Sequence, residues 1–117
     1  MHNDGLTIAE RVLDDAAHLI SFDRESEYGS AHKNYQRIAA LWSLLTGAEI
    51  DAPKAALMMA ALKLDRAWQN PEHRDSYVDL AGYAAIARES AVMEHTYAVA
   101  ETISNKKIIP KFTGSYY

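Results

Sequence analysis

The chain has 117 residues, a formal net charge of −4 and no cysteine, and its length is that of one ordinary domain. The missing cysteine excludes disulfides, thiolate zinc sites and cysteine nucleophiles, and the short, interrupted apolar runs exclude a membrane-spanning helix. No contiguous basic face is present, so binding to duplex DNA is not expected. Residues 1–5 lack the basic and apolar regions of a secretory signal, so we expect a cytoplasmic protein.

The first two predicted helices are separated by a charged loop. The first covers residues 7–21, because its first residue forms a capping box with Glu10 and apolar residues follow at helical spacing. The loop covers residues 22–30, where charged residues break the pattern. The second helix covers residues 30–46 and ends before Gly47, a residue that favours a left-handed C-cap.

The third and fourth predicted helices are strongly apolar. The third covers residues 53–69 behind the N-cap candidate Asp51, and its apolar interior predicts that it is the most buried helix. The fourth covers residues 75–103, a length of about 42 Å at 1.5 Å per residue. Because this exceeds what a small bundle covers, two interpretations are open. Its second half packs on another subunit, or a break near residues 89–90 folds it back.

These elements predict an all-α fold, an antiparallel four-helix bundle with a long fourth helix and an irregular C-terminal tail. Residues 1–104 are predicted to form a single helical domain, and residues 105–117 form the tail. We expect Trp42 and Trp68 to be core residues rather than stacking partners of a cofactor.

Two carboxylates on the fourth helix are the first candidates for chemistry. Asp75 and Asp79 are four residues apart and border the apolar stripe, so both are predicted to face the bundle. In a hairpin of the third and fourth helices, Asp79 lies level with Arg66, and Lys63 lies one turn further along. The structural interpretation is an ion-pair cluster that fixes the hairpin. In the functional interpretation, Asp75 and Asp79 hold a divalent cation while Lys63 and Arg66 hold phosphate.

A second candidate site lies where the loop enters the second helix. Ser30, His32 and Asn34 are at or near a helix N-terminus, where an anion is favoured. Together with Arg24 and Tyr28, His32 and Asn34 are candidates for binding a nucleotide or phosphate. The alternative interpretation is structural: Tyr28 belongs to a turn and Ser30 caps the helix.

The candidates belong to two longer strings of residues. The first string is Asp23-Arg24, Tyr28-Gly29, Asn34-Tyr35, Ile38-Ala39 and Leu41-Trp42, and the second is Met58-Met59, Leu62-Lys63, Arg66, Asp75-Ser76, Asp79 and Gly82-Tyr83. In this order they resemble small helical proteins of unknown function that are common in bacteriophages and prophages, over about residues 9–88. That family in turn resembles a divergent branch of the MazG-like, all-α nucleoside triphosphate pyrophosphohydrolases. The resemblance implies a four-helix core and a homo-oligomer, which we expect to be a dimer.

The chain departs from the active MazG-like pattern at its acids. Active members bind magnesium with a glutamate cluster on one helix and a Glu-x-x-Asp pair on the next, and the metal activates water to attack a phosphorus. Asp79 matches the aspartate of the second motif, whereas Ser76, with Asp75 beside it, replaces the glutamate. On the third helix, Lys63 and Arg66 lie near the positions where active members carry their other acidic residues. Two acids beside two bases form a poor cage for magnesium but still suit a phosphorylated ligand, so Mg²⁺ on Asp75 and Asp79 stays one alternative and no catalytic residue is assigned.

Two classes of function follow from these residues. The first is a nucleotide-handling protein, either a pyrophosphohydrolase or a non-catalytic binder of a nucleoside triphosphate. The second is a non-catalytic phage interaction protein that binds a host or phage protein through its bundle and tail. Both are expected to act in the cytoplasm of the bacterial host.

Overall fold

The computed structural model describes residues 5–24 and 30–106. These residues form α1 (Ile8–Arg24), α2 (Ala31–Thr46), α3 (Ala52–Gln69) and α4 (Arg74–Lys106), and they contain no strand. The prediction of four helices with a long fourth helix is confirmed. None of the helices in the described part of the chain combines the length and the apolar character needed to cross a bilayer.

Short-range capping interactions define the ends of the first three helices. The Thr7 N–H donates to the Glu10 carboxylate at 3.0 Å, and the Glu10 N–H donates to Thr7 Oγ1 at 3.1 Å, so the predicted capping box is present. Gly47 ends α2 with φ of 75°, in the left-handed region. Asp51 begins α3 by accepting the Lys54 N–H at 3.0 Å.

The first and fourth helices are longer than predicted. α1 continues to Arg24, so the start of the predicted loop 22–30 is helical, and residues 25–29 lie outside the described residues. α4 is continuous through residues 89–90, so the interpretation with a break is wrong. The physical reason is that Ser90 is fully buried and pairs with His32 of α2, which supports α4 at this point.

The core is organised around α4 and is built largely from small side chains. α4 contacts each of the other three helices, whereas α1 and α3 do not contact each other within the described residues. The most extensive contact is between α3 and α4. Small side chains let the two helices approach closely. The buried residues of α3 are all alanines: Ala52, Ala55, Ala56, Ala60 and Ala67.

Several large apolar side chains of α3 are exposed, in contrast to its buried alanines. Leu57 is 54% exposed and Trp68 is 80% exposed. The sequence predicted that α3 is the most buried helix, and it does bury five alanines, but large residues of its apolar stretch such as Leu57 are exposed. Trp42 packs against the core cluster as expected, but the core prediction for Trp68 is wrong, because α3 turns its alanine face toward α4 and Trp68 lies outside that face.

Candidate functional site

A groove lies along α4, where α1 and the N-terminus of α2 pack against it, and we call it the α4 groove. Its narrow section is a cavity of about 50 Å³ lined by Leu19, Ile20, Asp79, Gly82, Tyr83 and Ile86. Its wide section is a cavity of about 320 Å³ lined by Ile20, Ser30, Ala31, His32, Ile86, Glu89, Ser90 and Met93. Because Ile20 and Ile86 line both cavities, the two sections adjoin.

An ion pair stands beside the narrow section. Lys63 Nζ of α3 lies 3.0 Å from Asp79 Oδ2 of α4, and the two side chains are 21% and 26% exposed. The predicted register placed Asp79 level with Arg66 instead. The observed partner of Asp79 is Lys63, one helical turn before Arg66. The connection between α3 and α4 covers residues 70–73, and its centre is closer to α3 than the prediction assumed.

The other two members of the predicted cluster lie at the surface. Arg66 is exposed in the last turn of α3. Asp75 is exposed in the first turn of α4, so the prediction that it faces the bundle is wrong. The buried positions at this end of α4 are Ser76 and Val78, and Asp75 lies outside them. No group of three histidine, cysteine, aspartate or glutamate side chains in the described part of the chain is placed to hold a metal ion.

The wide section contains a buried histidine with one unmet polar atom. His32 is 3% exposed, and its Nδ1 lies 2.6 Å from Ser90 Oγ. Its ring centroid lies 5.8 Å from that of Tyr97. His32 Nε2 is buried and has no hydrogen-bond partner among the described residues. Leaving a buried polar atom unpaired costs about 1–3 kcal/mol, so the atom calls for a bound molecule or another explanation.

The other candidate residues near the start of α2 lie in different environments. The Ser30 hydroxyl accepts the Lys33 N–H at 3.2 Å, so Ser30 is the cap that the structural interpretation expected. Asn34 is exposed, and its Oδ1 accepts a hydrogen bond from the Arg37 guanidinium at 3.2 Å. Tyr28 and the side chain of Arg24 lie outside the described residues, so their assignment stays a prediction.

Sequence reasoning identified Asp79 on α4 but missed Ser90, which α4 supplies to the wide section. Ser90 pairs with a histidine 58 positions earlier, and no local pattern connects residues so far apart. One signal was available. Ile86, Ser90 and Met93 follow each other at helical spacing, and a serine in such an apolar stripe requires a buried partner.

A glycine in the narrow section leaves open space. Gly82 is buried in the interior of α4, and a Cβ added to it would meet no atom within 4 Å. Glycine inside a helix costs about 0.5–1 kcal/mol relative to alanine. The packing therefore does not require glycine at this position, and its effect is to widen the groove beside Asp79.

Comparison with known proteins identifies a family. The family model described as "Domain of unknown function (DUF6378)" matches residues 11–91. The chain is similar to the Gene 55 protein of Mycobacterium phage L5, with 37% identity over 84 residues, which are 71% of this chain and 54% of that protein. It is also similar to the Gene 55 protein of Mycobacterium phage D29, with 36% identity over 77 residues, 66% of this chain and 51% of that protein.

The comparisons support part of the resemblance stated from sequence. The chain spans about half the length of the curated relatives it matches, and no solved structure matches it. The phage relatives support the predicted phage context, while the MazG-like assignment stays a prediction. Because the family model covers most of α1, all of α2 and α3, and the groove-lining part of α4 up to Ser90, the chain belongs to the DUF6378 family.

Proposed function

We propose that this protein is a MazG-like nucleotide-binding domain, and that the α4 groove binds the phosphates of a nucleoside triphosphate. The observation that carries the proposal is the partly buried Lys63–Asp79 pair, which places an ammonium group beside the narrow section. A lysine that is already held in position loses less freedom when a phosphate binds it. Arg66 follows Lys63 by three residues on α3 and supplies a second, exposed cation.

In this proposal, magnesium binds together with the phosphates of the nucleotide. Asp75 and Asp79 are one helical turn apart, but Asp75 is exposed outside the groove, so Asp79 is the carboxylate that lines it and the two form no closed cage for a metal. Mg²⁺ is commonly held by one or two carboxylates, with water and phosphate oxygens completing its shell. The donor set therefore fits a magnesium ion carried by the nucleotide, which would neutralise phosphate charge beside Asp79. Lys63 would contact the phosphate from its position beside Asp79.

The open space beside Gly82 supports use of the groove by a ligand. Alanine would fit the helix and favour it, so the glycine preserves room at the cost of helix stability. The proposal concerns binding and assigns no catalytic residue. In it the protein acts in the host cytoplasm, where nucleoside triphosphates are available.

Calorimetric titration of nucleoside triphosphates with MgCl₂ tests the proposal on the full chain. Lys63→Met removes one charge-assisted hydrogen bond and is expected to weaken binding by about 10- to 100-fold. Lys54→Met, at an exposed lysine of the same helix, is the matched control and should leave the affinity unchanged. Equal affinity in Lys63→Met and the wild type would contradict the proposal.

The same preparations test for turnover. Pyrophosphate release that requires Mg²⁺ and is lost in Asp79→Asn would assign hydrolysis to the groove. Binding without release would identify a non-catalytic nucleotide binder.

A specific observation also favours a second role, association of the bundle with another copy of itself. Leu44 and Leu45 of α2 are 80% and 72% exposed. Leu57, Leu64 and Trp68 of α3 are also more than half exposed, and they lie at i, i+7 and i+11, which places them on one face of the helix. Monomeric proteins rarely expose a contiguous apolar patch larger than a few hundred Å².

We propose that these outer faces of α2 and α3 form the interface of a homodimer. With Leu41, the exposed area of these side chains is on the order of 800 Å², which is what each partner contributes to a standard interface. The proposal agrees with the homo-oligomer that the resemblance implies, and it gives the large residues of α3 the burial that the monomer does not.

Sedimentation or light scattering over a range of protein concentrations tests the dimer. Leu44→Lys and Trp68→Lys should each shift the protein toward monomer while its helical circular dichroism is retained, because both residues are exposed in one copy. Ile8→Lys, at an equally exposed residue of α1, is the control and should leave the dimer intact. A wild-type protein that stays monomeric at high micromolar concentration would contradict the proposal and favour a host or phage protein as partner of this face.

A further inference from the structure

We infer that the wide section of the α4 groove binds the base of the nucleotide, while the phosphates lie toward Lys63. This inference rests on the proposed function and assigns a separate role to the cavity beside His32. It also changes the role of His32, because the sequence placed this residue among the candidate phosphate ligands.

The lining of the wide section suits a neutral, flat group better than a phosphate. Ile20, Ile86 and Met93 supply apolar surface, and none of the lining residues in the described part of the chain is lysine or arginine. Glu89, an acid among these lining residues, would repel a phosphate. Apolar side chains pack well on the faces of an aromatic ring, and a methionine thioether makes favourable contacts with such rings.

The polar residues of the wide section can pair with the edge of a base. Ser90 fixes His32 through Nδ1 at 2.6 Å, which leaves Nε2 as an unmet donor or an unmet acceptor, depending on the tautomer. A heterocyclic base presents both donors and acceptors on its edge, so it can satisfy either form once the ring turns Nε2, which is buried in the free protein, toward the wide section. The Glu89 carboxylate can accept from an amino group or a ring N–H of the same base.

The dimensions of the groove agree with one ligand that occupies both sections. Asp79 and Ser90 are eleven positions apart on α4, which is about 16 Å along the helix axis. An extended nucleoside triphosphate reaches over a comparable distance. The wide section, at about 320 Å³, has the size of a small-ligand pocket. Ile20 and Ile86, which line both sections, would contact the sugar between them.

Titration of the full chain with inorganic tripolyphosphate and with the canonical nucleoside triphosphates, all with MgCl₂, separates the two sections. We expect one base to be preferred over the others by about tenfold, the value of one well-placed hydrogen bond. Glu89→Gln should change the order of preference among bases and leave the tripolyphosphate affinity unchanged. Glu101→Gln, at an exposed residue further along α4, should change neither.

His32→Ala should reduce the affinity for the preferred nucleotide to that of tripolyphosphate. If this variant fails to fold, Glu89→Gln still decides the question, because Glu89 lies at the surface. Equal binding of tripolyphosphate and every nucleotide would overturn the base assignment and leave the phosphate proposal intact. Binding of free nucleosides without tripolyphosphate would overturn the phosphate proposal alone, and absence of all binding would overturn both.

Discussion

Replacing Gly82 with alanine should make the protein more stable and weaken its binding of nucleotide. Gly82 lies inside α4, its φ is not positive, and a Cβ there meets no atom within 4 Å. Alanine should therefore raise the free energy of unfolding by about 0.5–1 kcal/mol. In a domain of this size, that gain corresponds to a rise in melting temperature of about 2–8 °C.

Gly47 provides the opposite case within the same chain. A methyl group added there would also meet open space, but the φ of Gly47 is 75°, a backbone conformation that L residues rarely adopt. Gly47→Ala should therefore lower the free energy of unfolding by about 1–2 kcal/mol. The two substitutions add the same atom without steric conflict, so their opposite signs isolate the contribution of the backbone.

Urea denaturation of the ligand-free protein measures both changes, as shifts of the midpoint at a constant slope. Calorimetric titration then measures nucleotide affinity, which Gly82→Ala should reduce because the new methyl group enters the narrow section beside Asp79. A stability loss in Gly82→Ala would refute the reasoning about packing. A stability gain with unchanged affinity would refute the claim that Gly82 keeps room for a ligand.

Three further predictions test local interactions. Asp51→Ala should lower the free energy of unfolding by about 1 kcal/mol in urea denaturation, because the N-cap of α3 is lost. The N–H of Thr7 holds the pKa of the Glu10 carboxyl below its ordinary value. This cap therefore stabilises α1 at a pH above the ordinary glutamate pKa, and the stabilisation is lost as the pH falls through the lower, folded-state pKa. An NMR titration of Glu10 that shows no lowering of the pKa would contradict this prediction. Lys63→Met should lower the free energy of unfolding by about 1–3 kcal/mol, because Asp79 keeps a partly buried carboxylate without its partner, and an Asp79→Leu change added to it should recover part of the loss.

Local sequence was sufficient for the helices and most of their ends. The capping box at Thr7, the left-handed Gly47 and the N-cap Asp51 are all contacts between residues within four positions of each other. Such contacts depend on the local order of residues, so a sequence pattern can predict them without knowledge of the packing. The all-α fold followed from the same short-range pattern, whereas the sequence left open whether the fourth helix continues through residues 89–90.

Candidate residues were also readable from sequence, but their pairing was not. Lys63 and Asp79 were both identified, yet the partner predicted to lie level with Asp79 was Arg66. A small change in the centre of a turn moves one helix along the other, and sequence does not fix that centre. The pair formed by His32 and Ser90 joins residues on two helices 58 positions apart, so no helical period could predict it.

The tertiary structure alone decided which apolar face of α3 is buried. Its sequence carries alanines on one side and large residues such as Leu57 and Trp68 on another, and either face could have been assigned to the core. The alanine face packs against α4 because small side chains let the two backbones come close, and the large residues are left outside. Short-range patterns therefore specify the helices and the residues available for chemistry. Packing selects the faces that meet, because contact between two helices depends on the shape and register of both.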